Sequence, residues 1–226
     1  MIKLGIRVSS DYNFGLGHFY RCLSIRERID NEVVWFLDSK NKFIEDLVSP
    51  RDKIYYEKDK YDLSLAKKEV KKNVINIILI DTYGIKQKNI LELSKIIPVA
   101  IFLDNKELIK VQIVICPHPI KLTDIKDVVL LSGTKYAPIL NTFNAKKGKI
   151  NTKSINILVS MGAYDSKGIT LKVIRAIERL YLKFDFNVTI VIGKKSPIIN
   201  KIKSLIFNLS KFKLLIAVKD MNLIYN

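Results

Sequence analysis

Strand-length runs of Ile, Val and Leu recur along this chain, with longer amphipathic stretches between them. Residues 2–8, 33–37, 75–81, 99–103, 111–116 and 128–131 are nearly continuous in apolar character and do not alternate with polar residues. Such a strand has to be covered on both faces, the situation of parallel strands between two layers of helix. Helix-like stretches at 18–29, 43–47, 63–72 and 86–96 fall between most of these runs. Strand and helix in alternation predict βαβ units, and therefore an α/β fold with a doubly wound parallel sheet.

The pattern stops at 144–153, a polar stretch with Gly148 in it and no apolar period. It then restarts with strands expected at 155–160, 187–192 and 212–217 and helices at 167–182 and 197–208. The expected organisation is a Rossmann-like domain over 1–143, a linker over 144–153 and a second Rossmann-like domain over 154–226. The two domains are expected to face a cleft. With only three strands, the second domain reads as incomplete, which predicts exposed apolar surface around Ile216 and Leu223.

Composition narrows the partners. Lys and Arg outnumber Asp and Glu by 39 to 22, a net charge of +17. The excess is Lys scattered through Ile- and Asn-rich sequence, as in Lys67-Lys68 and Lys194-Lys195. No Arg-rich tract or aromatic-interleaved basic ribbon accompanies it, so nucleic acid is not an expected partner. Cys22 and Cys116 are too few and too far apart for a disulfide framework or a CxxC site. With two histidines and no HxxxH spacing, the sequence calls for neither a metal ion nor a cofactor. No signal peptide is recognisable, and every apolar stretch falls short of the ~20 residues of a bilayer span. The expectation is a soluble cytoplasmic protein without stable membrane insertion; oligomeric state is not indicated.

Gly15-Leu16-Gly17-His18-Phe19-Tyr20-Arg21 links the first strand to the first helix. Two glycines allow close backbone approach, and a helix N-terminus directs unpaired N–H groups at the same place. A phosphate-bearing ligand fits there, with His18 as the titratable group. The same residues also fit an ordinary turn and a capping His. In open parallel sheets ligands bind beyond the carboxyl ends of the strands. Asp11, Asp81, Tyr83, Asp104, His118 and the segment 160–165 all fall at such ends. Asp81 and Asp165 fit N-cap or turn roles equally well, Tyr83 could line the core, and His118 between two prolines reads as a loop residue.

Five blocks in order carry a family resemblance: Arg7 with Gly15-Leu16-Gly17-His18 and Arg21; Ile80-Asp81-Thr82-Tyr83-Gly84-Ile85; Phe102-Leu103-Asp104; Ser132-Gly133-Thr134-Lys135-Tyr136-Ala137-Pro138-Ile139; and Ser160-Met161-Gly162-Ala163-Tyr164-Asp165. Together they resemble the UDP-2,4-diacetamido-2,4,6-trideoxy-β-L-altropyranose hydrolases of pseudaminic-acid synthesis, relatives of two-domain glycosyltransferase-B-like enzymes. The resemblance implies water attack on the anomeric carbon of a UDP-linked amino sugar, with UDP leaving. It implies His18 as general base and a second domain that binds nucleotide. Gly15, Gly17, Arg21, Asp81, Tyr83, Asp104, Tyr136, Gly162 and Asp165 become expected substrate contacts. Three departures stand out. Ser9 replaces a usual Asp, for which Asp11 is a conceivable substitute; Leu103-Asp104 replaces a pair of aspartates; and Gly162-Ala163 replaces Gly-Gly. Family members also continue past this length, into a segment that grips the nucleotide. Two other readings stay open: sugar transfer to an acceptor, and a silent remnant with at most a binding role.

Overall fold

The computed structural model describes residues 2–11, 16–104, 109–118, 126–143, 155–181, 183–218, 221 and 224. The chain divides into two compact units, Met1–Asn141 and Thr142–Asn226. Both are α/β, each built on a parallel sheet. The expected linker at 144–153 lies outside the described residues.

In unit 1 the elements run β1 (Leu4–Val8), α1 (Gly17–Arg26), β2 (Val34–Leu37), α2 (Lys42–Glu45), β3 (Lys53–Tyr56), α3 (Ser64–Lys72), β4 (Ile77–Asp81), α4 (Gln87–Ser94), β5 (Val99–Phe102), β6 (Ile113–Cys116) and β7 (Val129–Ser132). The strands lie in the order β3-β2-β1-β4-β5-β6-β7, and every pairing is parallel. The near-continuous apolar runs have the expected cause. Phe36, Ile78, Ile80 and Val99 enter one core with Ala66 and Val70 of α3 and Leu93 of α4. Their strand neighbours Trp35, Leu37, Leu79 and Ala100 enter the opposite core with Phe19 and Cys22 of α1 and Ile44 of α2. Successive side chains point to opposite faces, so a strand between two helix layers is apolar at every position.

Strand β3 was not expected from the sequence. It is only four residues long, begins with an exposed Lys53 and stands at the sheet edge. Short, partly polar edge strands carry little apolar signal. Arg7 interrupts the apolar run of β1 and is fully buried. Its guanidinium donates to the carbonyls of Asp62 (3.2 Å), Asp59 (3.0 Å) and Val8 (3.1 Å), tying the segment after β3 to the sheet.

Unit 2 comprises β8 (Ile155–Val159), α5 (Ile169–Glu178), β9 (Phe186–Ile192), α6 (Ile199–Ile206) and β10 (Phe212–Ile216), with parallel strands in the order β10-β9-β8. Both helices are shorter than the sequence pattern predicts: turns at 166–167 and 179–181 flank the first, and turns at 197–198 and 207–208 the second. Val159, Ile174, Val188, Ile190 and Ile202 form its core. Ile216 is 37% exposed, and Leu223 lies outside the described residues. At Gly193 the loop after β9 meets the loop after β8: its N–H donates to the Ala163 carbonyl at 2.8 Å. A Cβ at Gly193 would lie 2.6 Å from that oxygen. Gly193→Ala is therefore expected to push the two loops apart and cost about 1–3 kcal/mol, read as a lower urea midpoint. Among the described residues no helix is long and apolar enough to cross a membrane.

Candidate active site

The strand order of unit 1 changes direction between β1 and β4, where the chain steps outward first to one side and then to the other. Ligands of open parallel sheets bind in the crevice at this switch point. Val8 and Asp81, the last residues of β1 and β4, are paired in register there. Helix α1 follows β1 and presents His18, Arg21 and Cys22 toward β4, the i, i+3, i+4 spacing that puts side chains on one helix face. Phe19, Cys22 and Arg26 are buried, and the Phe19 ring stands 5.4 Å from Trp35. Packing below the helix thus fixes the residues at its N-terminal end.

His18 Nδ1 lies 2.6 Å from Asp81 Oδ1. A carboxylate can only accept here, so the contact calls for a proton on Nδ1; in the neutral imidazole of that tautomer Nε2 is the acceptor. The edge of the Tyr83 ring meets His18, with centroids 4.5 Å apart and an interplanar angle of 89°. Burial, then the Asp104 charge, raises the Tyr83 pKa above that of a free phenol, so the hydroxyl keeps its proton at neutral pH. Arg21 binds both carboxylates in forks. Nε and Nη2 reach Asp81 at 2.7 and 2.5 Å, while Nη1 and Nη2 each reach Asp104 at 2.7 Å. The guanidinium carbon sits 4.0 Å from the centroid of the Phe102 ring. Arg21 holds the Asp104 carboxyl below the usual range, chiefly through the hydrogen bonds it donates to that carboxyl. Burial works against the Arg21 charge, but its bonds to Asp104 and Asp81 outweigh that and raise its pKa. Buried Cys22 adds a thiol donor 3.6 Å from Asp81 Oδ2. Its own pKa is pushed well up by burial and by the Asp81 charge, so it remains a neutral thiol.

His18, Arg21, Asp81, Tyr83 and Asp104 therefore come together, although they are scattered through the sequence. Arg21, Asp81 and Asp104 bond with one another, and Asp81 with His18. Gly17 opens α1, and a Cβ there would meet nothing within 4 Å among the described residues. Gly15 lies outside the described residues. Tyr136 ends a 3-10 turn, Thr134–Tyr136, after edge strand β7. Beside Ser9 the carboxylate comes from Asp38 at the end of β2, whose Oδ2 accepts from Ser9 Oγ at 2.6 Å and whose Oδ1 accepts from the Ser10 N–H at 2.8 Å. Sequence reasoning did not single out Asp38, because its pairing with Ser9 arises only when β1 and β2 align.

In unit 2, Gly162 has φ +92° with open space at its Cβ position. Gly168 holds the N-cap position of α5, and Asp165, in the turn before it, supplies the carboxylate to the first helical amides. The Asp165 oxygens accept from the amides of Ile169 (2.9 Å) and Thr170 (2.8 Å). Burial opposes its charge, yet these bonds outweigh it and lower its pKa from the ordinary 3.8. The full contribution of these bonds is therefore present above the unfolded carboxyl's pKa and is lost as pH falls through the lower folded value. Asp165→Ala is expected to destabilise the chain at pH 7 by about 1 kcal/mol, within a range of ~0.5–2. Urea unfolding at pH 7 and below pH 3 would show the difference shrinking with acid.

No protein-family model matches the chain. The uncharacterized protein MJ1062 of Methanocaldococcus jannaschii is 27% identical over 241 residues, covering 93% of this chain and 46% of that protein. The chain thus spans about half the length of this curated relative. A solved glycosyltransferase from Rickettsia africae ESF-5 superposes with TM-score 0.61 at 13% identity, over 99% of this chain and 70% of that one. Acinetobacter baumannii MurG gives TM-score 0.60 at 12% identity, over 100% and 71%. At these identities the likeness concerns the fold: the chain is an α/β protein with Rossmann-like parallel sheets and glycosyltransferase-B-like structural neighbours.

Proposed function

We propose that unit 1 carries the general base of a nucleotide-sugar hydrolase. The observation behind this reading is the contact of His18 Nδ1 with Asp81 at the switch point of the sheet. It leaves Nε2 as a base whose orientation is held from behind. In the proposed reaction Nε2 takes a proton from water as the water oxygen bonds to the anomeric carbon. The bond from that carbon to the phosphate oxygen breaks, and its electron pair leaves with UDP. UDP is already a good leaving group, so positioning of the water and a base suffice for the rest. The substrate in this reading is a UDP-linked diacetamido-trideoxyhexose, as the family resemblance implies. In unit 2, taken by itself, Gly162 leaves room at its Cβ position for a phosphate to approach the backbone.

Sugar transfer to an acceptor is the second reading, favoured by the structural neighbour described as a glycosyltransferase. The experiment is to incubate the chain with the UDP-sugar, with and without candidate acceptors, and follow products by phosphorus NMR. Equal amounts of UDP and free sugar without acceptor support hydrolysis. UDP released only with acceptor supports transfer. No release under either condition overturns both.

A further inference from the structure

The ligand atoms of His18, Asp81 and Asp104 all lie within 4.8 Å of one another, and an imidazole with two carboxylates is a donor set that divalent metals accept. A cation already stands among them. Arg21 donates to both oxygens of Asp81 and both oxygens of Asp104, and its Nη2 shares the acceptor Asp81 Oδ1 with His18 Nδ1. We propose that Arg21 is the resident cation of this cluster: a positioning residue that holds Asp81 against His18 and occupies the place a divalent ion would take.

Three observations carry the proposal. First, the two forks share one planar guanidinium, which fixes both carboxylates at once; the point charge of a lysine cannot match that geometry. Second, Asp104 completes the clamp on Arg21, and Phe102 supports the guanidinium from its face at 4.0 Å. Arg21 therefore has its own bracing, as a positioning group needs. Third, a hard divalent ion would seek the same carboxylate oxygens. Arg21 and the ion exclude one another, so removing the guanidinium should open the site to metal.

Cobalt(II) is a suitable probe, since its visible spectrum reports coordination. The chain itself is expected to show no His18-dependent cobalt site. Arg21→Ala is expected to take up one equivalent at least ~10²-fold more tightly, and Arg21→Ala with His18→Ala to lose it. His18-dependent binding that is equally tight in both proteins overturns the proposal. So does an Arg21→Ala chain, folded by circular dichroism, that binds no better than the parent.

A second measurement does not depend on that variant. The sequence holds only two histidines, so nitrogen NMR of the imidazoles in a His118→Gln background reports on His18 alone. The Nδ1–H form is expected in the parent and a mixture of tautomers in Arg21→Lys, which keeps the charge but loses the forks. An unchanged Nδ1–H signal in Arg21→Lys overturns the positioning role. Only a turnover measurement rests on the hydrolase reading: Arg21→Lys should lower kcat by ~10-fold or more with KM changed less than ~3-fold, and a fall carried by KM alone would make Arg21 a substrate contact instead. The cobalt and NMR results stand even if UDP release is never observed.

Discussion

Replacing His18 by Gln is expected to lower the rate of UDP release by ~10²–10⁴-fold, the usual loss on removing a general base. Glutamine keeps a similar size, and its amide donates to Asp81 as the imidazole does. What it lacks is a group that takes up a proton at the position of Nε2. The comparison thus separates proton transfer from packing, and His18→Ala is expected to be only slightly more damaging. Folding should change little, because the His18 side chain is 11% exposed and lies above the core formed by Phe19 and Cys22. Steady-state release of UDP and urea unfolding, measured on the same preparations, provide the test. Near-normal release from the Gln variant would reduce His18 to a positioning role.

The largest stability effect is expected from Asp52→Ala. The Asp52 side chain is fully buried and accepts four hydrogen bonds. Two come from Arg26, Nε at 2.6 Å and Nη2 at 2.7 Å; one comes from the Val33 amide at 3.1 Å and one from the Trp35 indole at 2.8 Å. Alanine would leave a nearly buried guanidinium unpaired and two further donors without an acceptor. Breaking one partner of such a pair costs about 3–5 kcal/mol, against a typical total of about 5–15 kcal/mol. The consequence reaches the candidate site. Asp52 holds the C-terminal end of α1 to β2, while Arg21 and His18 hold its other end to β4. A drop in urea midpoint together with loss of the His18 Nδ1–H signal is the expected pair of results; a change below ~1 kcal/mol would show that the pair adds nothing beyond an apolar contact.

Much of the fold was legible in the sequence because its cause is local. Each apolar run records a strand covered on both faces, and each amphipathic stretch a helix with one covered face. Alternation of these runs with helix-length stretches then identified β1, β2 and β4 to β7, with the helices between them. The edge strand β3 escaped because it buries little and carries Lys53. The polar residues at strand ends were legible as candidates, since parallel strands deliver their C-terminal residues to one edge of the sheet. What they do to one another was not. Asp81 is 63 residues from His18, and Asp104 is 83 from Arg21; no spacing in the chain encodes those contacts.

The sequence by itself determined the α/β class, the alternation of elements and the set of polar residues at the strand ends, because periodicity and burial act within a few residues. Only the tertiary structure decided that Arg21 clamps two carboxylates, that Asp165 accepts from the first amides of a helix, that Asp38 stands beside Ser9 and that Asp52 receives Arg26. Each of those pairings depends on the order of strands in a sheet. Strand order is set by how the crossover helices pack on the two faces, a long-range balance that leaves no periodic trace in the chain.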